Sequence, residues 1–351
     1  MKYFGKKTCS LIGIDLGARA IKAVQLSQRR GKWELAAAVV VPRSINAAID
    51  NNTAAGIREL LFRHGFLGND IVLSAPTKQL AVDVLELPPR ASGAPIDQIA
   101  RAELARTAKW DNEPFELASW ELPAPSRGAA GTTMMAVGLQ HKHAEALLDP
   151  FEEEGLNVVA LDAQCCALAR ACKIYDSADA ITAVLDIGWN SSLINMVRDG
   201  VVIYQRLLSE AGLSLAHRTI ANEFQLSEVE VDYVLEHVGV AGGADELMDV
   251  AQSRRIQELV RWHIDTIIAE LEAAFHYATH RYAQTPLNNL LLVGGGSRIA
   301  GACEYLATKM SVNVKILKPA EIVECPANLL GRCNDGVLTT ALGLAWHGAS
   351  T

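Results

Sequence analysis

The chain has 351 residues, half of them hydrophobic and 21% charged, which exceeds one compact core, predicts two domains and excludes a disordered chain. A formal net charge of −8 argues against nucleic acid as the main partner, because neutralising phosphates takes a basic face. No stretch approaches the roughly 20 apolar residues of a membrane span, so no direct membrane insertion is expected.

In chain order, the first eight residues carry Lys2, Lys6 and Lys7 around Tyr3 and Phe4. They lack the apolar core of a cleavable signal, since Asp15 interrupts the run that follows; the expected compartment is the cytoplasm. Residues 11–15 predict a buried strand, Gly17 a turn, and 21–26 the second arm of a hairpin. A strand at 33–41, a helix over 53–62 ending near Gly65, and a strand at 71–74 follow. From Pro88 the texture changes: Pro88-Pro89 and Ser92-Gly93-Ala94-Pro95 punctuate the chain. Ile96, Ile99, Ala100 and Leu104 then mark one face of a short helix. Strands are expected at 115–122 and 132–139, on either side of a Pro- and Gly-rich loop at 123–131. A helix with Ala144, Leu147, Leu148 and Phe151 at helical spacing closes what looks like a small inserted α+β block.

Residues 163–172 predict a buried helix, 181–186 a strand, 193–197 a second, and Asp199-Gly200 a hairpin turn into 201–207. Helices follow at 214–223, 227–237 and, much longer, 252–282. A buried strand at 290–293, a helix at 298–310, a strand at 312–317 and a small-residue helix at 336–346 complete the chain. The seven cysteines (Cys9, Cys165, Cys166, Cys172, Cys303, Cys325 and Cys333) form no Cys-x-x-Cys pair and read as reduced core residues. His141, His143, His263, His276 and His280 show no metal-ligand spacing and read as structural.

One pattern occurs twice. Ile12-Gly-Ile-Asp15-Leu-Gly17 is echoed by Ala183-Val-Leu-Asp186-Ile-Gly188, an apolar strand running into aspartate and glycine and then a second strand. The repeat predicts two related halves facing each other. An aspartate at a strand end, beside a glycine that turns backbone N–H groups inward, suits hydrated Mg²⁺ next to a phosphate chain. A third element, Leu290-Leu-Leu-Val293-Gly294-Gly295-Gly296-Ser297, runs a buried strand into three glycines. It lets backbone approach a ligand, yet it lacks the Gly-x-Gly-x-x-Gly spacing, because Ile299 stands where the third glycine belongs.

Asp-x-Gly turn, small-residue helix, second Asp-x-Gly turn, triple glycine and small-residue helix occur in that order at 15–22, 164–171, 186–192, 293–297 and 337–345. This five-part arrangement resembles the superfamily of actin, the sugar kinases and the heat-shock 70 proteins, over essentially the whole chain. Gly13-Ile-Asp15-Leu-Gly17-Ala-Arg-Ala-Ile21-Lys22, Val84-Leu-Glu-Leu-Pro88, Trp110 with Glu113-Pro114-Phe115, and Leu161-Asp162 ahead of Ala167-Leu-Ala-Arg170-Ala171 are similar to the PilM family in the FtsA/PilM branch. The chain also stops soon after the last helix, without the membrane-targeting tail of FtsA.

The resemblance implies an α/β, actin-like (ribonuclease H-like) two-domain fold with an inserted 1C-type α+β subdomain. Its expected parts are 1–88 (subdomain 1A), 89–161 (the insert), 162–180 (1A continued), 181–335 (second domain) and 336–351 (a helix returning to the first). It implies ATP or ADP with Mg²⁺ in the interdomain cleft. The residues expected there are Asp15, Gly17, Ala18, Arg19 and Lys22 from the first turn, and Asp186, Gly188, Asn190 and Ser191 from the second. Gly294, Gly295, Gly296 and Ser297 come from the third element and Asp232 from beside the adenine, with Asp15 and Asp186 holding the metal through water. Lys22 stands either for a phosphate contact or for a salt bridge to the second domain. The implied function is a cytoplasmic adaptor of type IV pilus assembly, or of a related secretion system. It would clasp the cytoplasmic tail of a PilN-like single-pass membrane protein between 1A and the insert and join other inner-membrane components. An FtsA-like filament former and a sugar- or acetate-type kinase are the alternatives.

The sequence also departs from the family. Gln164 stands where an acid is usual, so little or no hydrolysis is expected and Gln164 is left as a residue that positions water. Asp232 followed by Leu235 replaces Glu-x-x-Lys. Beyond Glu270, residues Glu272, Ala273 and Ala274 stand where the superfamily offers basic and hydroxyl groups to the base. Trp189 and Asn190 are bulkier than the second turn usually carries.

Overall fold

The computed structural model describes residues 8–110, 113–125, 131–241 and 248–349; the basic residues ahead of Thr8 and most of the loop expected at 123–131 lie outside them. The first half of the chain forms β1 (Thr8–Cys9), β2 (Ile12–Leu16), β3 (Ala20–Arg29), β4 (Lys32–Pro42), α1 (Asn51–Arg63) and β5 (Asp70–Ser74). After β6 (Ala81–Leu87), α2 (Ile96–Ala108), β7 (Phe115–Glu121) and β8 (Thr132–Gln140) come α3 (His141–Glu153), β9 (Asn157–Asp162) and α4 (Gln164–Ala171). The second half is β10 (Ile181–Ile187), β11 (Ser192–Arg198), β12 (Val201–Leu208), α5 (Leu213–Phe224), α6 (Glu228–His237) and α7 (Val250–Arg281), followed by β13 (Leu287–Val293), α8 (Ala302–Lys309), β14 (Asn313–Ile316), α9 (Pro319–Ile322) and α10 (Thr339–Ala345).

The repeated sequence pattern becomes a repeated sheet. One sheet has the order β4-β3-β2-β5-β9, with β1 also on β3, and the other has β12-β11-β10-β13-β14. In each, two antiparallel pairings form the hairpins and two parallel pairings follow. The first strand of each hairpin, β2 or β10, is therefore central. It is buried on both faces, which is why it reads as an unbroken apolar run up to its aspartate.

The small-residue helices α4 and α10 let the two layers meet. A side-chain carbon at Gly343 would overlap the Ala167 carbonyl, and one at Gly13 would overlap the Ala341 carbonyl. Glycine at these points allows α10 to cross α4 and lie on β2 at backbone contact. Arg170 secures the crossing by donating to the Gly343 carbonyl at 2.9 Å and pairing with Asp162. Two helix expectations shorten. Gly301, at φ 73°, separates α8 from the turn after the triple glycine, and Gly336 is packed against Val293 instead of starting α10.

The boundaries expected for the insert, 89–161, do not match the strand pairing. Its three-stranded sheet has the order β6-β8-β7, so it takes in Ala81–Leu87 from ahead of residue 89. At the other end, Leu147 and Phe151 of α3 pack in the core of the first half, and β9 pairs with β5. The insert is thus an α+β unit spanning 81–140, with α2 covering one face through Ile96, Ala100 and Leu104. Its other face meets the second half, where Trp120 Nε1 donates to the Val202 carbonyl at 2.8 Å.

Candidate functional site: the cleft between the two hairpins

The two hairpins face each other across a cleft of about 850 Å³. On one wall Asp15 ends β2, and Lys22 lies directly opposite it in the β2–β3 register, with Nζ 2.7 Å from Asp15 Oδ2. Ser74, at the end of β5, donates to Asp15 Oδ1 at 3.3 Å and accepts from the Leu16 N–H at 3.2 Å. The carboxylate is thus aimed by a cross-strand cation and by the neighbouring parallel strand. On the other wall, Asp186 accepts from Gln164 Nε2, and the Gln164 carbonyl oxygen accepts from Thr77 Oγ1 at 3.0 Å.

Burial works against charge on Lys22, but Asp15 and Asp186 outweigh it and raise its pKa. Burial is also the largest influence on Asp186. Lys22 opposes it, Asp15 adds to it, and the carboxyl is pushed up to about 6. Of the two roles open to Lys22, a bond to the second domain is not the one the side chain takes: its ion pair is with Asp15 on its own hairpin, while its field reaches Asp186.

Of the residues the sequence singles out, Asp15, Gly17, Ala18, Arg19, Lys22, Gln164, Asp186, Gly188, Asn190, Ser191, Asp232 and Gly295 all line this cleft. Gly294, Gly296 and Ser297 are not on the wall; they shape it from behind. Gly294 has φ 77°, and a side-chain carbon there would overlap Asp186 Oδ1. One at Gly296 would overlap Ile187. Ser297 Oγ donates to the Gly294 carbonyl at 2.7 Å and accepts from the Gly336 N–H at 3.0 Å, fixing the loop. Arg19 and Asp232 do not stand free toward a ligand. They bind each other, with Nη1 to Oδ1 at 2.8 Å and Nη2 to Oδ2 at 2.9 Å.

The helix expected beside the base is also elsewhere. Ala274 is buried in the core of the second half and Glu270 pairs with Arg206 at 2.7 Å; α7 contributes nothing to the cleft lining. Asp232, Leu235 and Glu236 of α6 form that wall with Arg298, whose guanidinium is 2.7 Å from Asp335 and 3.6 Å from Glu236. Sequence reasoning missed Ser74, Thr77, Lys78, His143, Glu236 and Arg298 as cleft residues. Ser74 carried a usable signal, since ligand sites in open α/β sheets gather at the carboxyl ends of parallel strands. His143 and Glu236 carried none, being single polar residues on amphipathic helices. Among the described residues, no group of three or more His, Cys, Asp or Glu is placed to hold a metal ion.

Two equivalent sheets, each presenting an Asp-bearing hairpin to a shared cleft, define the actin-like ATPase fold. Structures with that fold are similar to this chain. One is the ethanolamine utilization protein EutJ from Carboxydothermus hydrogenoformans, at 17% identity and TM-score 0.53, covering 96% of this chain and 89% of that one. Another is MreB 5 of Spiroplasma citri bound to AMPPNP, at 12% identity and TM-score 0.52, covering 97% and 95%. Within that class, the sequence pattern described as type IV pilus assembly protein PilM matches residues 13–348, and the chain belongs to that family. A chain of the PilM-PilN type IV pilus biogenesis complex is 20% identical, with TM-score 0.78 over 97% of this chain and 99% of that one.

Proposed function

We propose that this chain is a nucleotide-binding adaptor of the type IV pilus inner-membrane assembly complex. In this reading it holds ATP or ADP in the cleft and takes up the cytoplasmic tail of a PilN-like membrane protein. One observation carries the nucleotide reading: Asp15 and Asp186 end equivalent strands on opposite walls of one cleft, with the buried ammonium of Lys22 acting on both. A cleft of about 850 Å³ falls in the range of small-molecule sites. Lys22 and the backbone N–H groups of the two turns suit the phosphates. Arg298, Glu236 and Leu235 would flank the nucleoside.

The two carboxylates also fit Mg²⁺. Asp15 and Asp186 would hold its waters while phosphate oxygens complete the oxygen shell. Bound there, the cation would screen phosphate charge. Hydrolysis is expected to be slow or undetectable. Gln164 replaces the usual acid, and both ends of its amide are engaged by Asp186 and Thr77.

The family and the PilM-PilN relative support a PilN-like partner. Among the described residues no helix is long and apolar enough to cross a membrane. In this reading the PilN-like partner supplies the membrane attachment. A short peptide folding onto a groove between the first half and the insert gives a definite interface without a catalytic residue. Hydrogen exchange with and without a peptide of the partner's cytoplasmic tail tests this. Protection is expected in 81–140 and in the strands of the first half beside it. Protection confined to residues after Ile181 would place the interface on the wrong domain.

A further inference from the structure

Side chains from opposite halves tie the two walls of the cleft to each other. Arg19, at the tip of the β2–β3 hairpin, forks onto Asp232 of α6 through two parallel bonds of 2.8 and 2.9 Å. Glu228, one turn earlier on α6, adds a longer contact of 3.7 Å. The same guanidinium lies over the ring of Trp189, with Cζ 4.3 Å from the centroid. Trp189 in turn meets His217 edge-on at 4.9 Å, and His217 Nε2 is 3.3 Å from Asp232 Oδ1. A second tie stands beside the first. The amides of Asn46 and Asn190 exchange hydrogen bonds of 2.6 and 3.4 Å.

Geometry and exposure together set what these ties can do. A planar, bidentate guanidinium–carboxylate pair holds one relative orientation of its two carriers. Burial alone would raise the Asp232 carboxyl, but the hydrogen bonds from His217 and Arg19, with their charges, bring it down to about 2. The pair therefore stays ionised at any ordinary pH. Yet Arg19 is 27% and Asp232 42% exposed, and ion pairs so open to solvent are individually weak and sensitive to salt. Such contacts do not weld two domains together. They hold them reversibly.

We propose that Arg19–Asp232, with Asn46–Asn190, is a clasp across the cleft mouth that must open for nucleotide to enter or leave. It sets how fast the ligand exchanges more than how tightly the phosphates are held, because Lys22 and the turn N–H groups lie beneath it. The proposal rests on the nucleotide reading above, and it regulates the same site.

Stopped-flow exchange of a fluorescent ADP tests it, with hydrogen exchange of the ligand-free protein at 17–20, 43–46 and 188–191 as an independent readout. Arg19→Ala and Asp232→Asn are each expected to speed both association and release at least fivefold, with Kd changing less than threefold. Both should also raise exchange in the three segments of the empty protein. Added salt should speed the wild type towards the variants. The double exchange Arg19→Asp with Asp232→Arg should restore slow rates and protection, a recovery that a merely unfolded single variant would not give. Rates and exchange unchanged in both single variants would overturn the clasp. Failure of wild type to bind fluorescent ADP at all would sink the nucleotide reading instead. The hydrogen-exchange comparison on empty protein would then still decide the clasp.

Discussion

Asp186 is a buried carboxyl whose charge costs stability and which the proposed function nonetheless needs. Its carboxyl is raised from 3.8 to about 6, so between those values the folded chain holds a proton that the unfolded chain has lost. Stability from this group therefore falls as pH rises through that window, and above pH 6 the full cost, on the order of 3 kcal/mol, is present. Asp186→Asn removes the charge and keeps an acceptor for Gln164 Nε2. The ligand-free variant is expected to melt a few degrees higher than wild type at pH 8 and no higher at pH 4. An equal gain at both pH values in thermal scans would show that charge burial is not the cause. At Gln164 the expected outcome concerns rate: phosphate release with Mg·ATP should stay far below the roughly 10 per second typical of enzymes. A turnover near that value, abolished by a cleft mutation, would make the protein an ATPase. Asp15 and Lys22 were each legible in the sequence as cleft residues but not as a pair, because the register that sets them opposite each other depends on where between Leu16 and Ile21 the hairpin turns. The Arg19–Asp232 pair was not legible either: its members come from different halves, 213 residues apart, and no local spacing encodes their contact.

Among the elements, both hairpins, the two small-residue helices and the buried strands were readable, because each is a local pattern carrying its own period or punctuation. The first strand of the insert, Ala81–Leu87, was not among the expected strands, and the boundary drawn at Pro88 left its residues with the first half. Only its non-local pairing with β8 settles the matter. Helix α3 was misassigned for a related reason: Leu147 and Phe151 define an apolar face without saying which core it covers. The α4–α10 crossing gives a direct mechanical test. A carbon added at Gly343 meets the backbone of Ala167, which cannot swing aside. Gly343→Ala is expected to cost about 1–3 kcal/mol, as overpacking of a tight core does. Gly331→Ala, with nothing within 4 Å, should be near neutral. Equal urea midpoints for the two variants would mean that the crossing is looser than described.

At the scale of the whole molecule, a duplicated sheet places one aspartate on each wall of a shared cleft, and the insert touches both halves. It leans on the first through its chain connections and on the second through Trp120 and Val202. That arrangement gives the molecule a cleft whose walls belong to different halves, beside a unit that contacts both. On the proposed function, the paired aspartates hold Mg·nucleotide across the cleft. Calorimetric titration of Mg·ATP into wild type and into folded Asp15→Ala, each repeated in chelator, tests it most directly. One saturable site is expected in wild type, weakened by chelator and weakened at least tenfold, about 1.4 kcal/mol, in Asp15→Ala. Binding unchanged in the variant, or no binding by wild type, would contradict it.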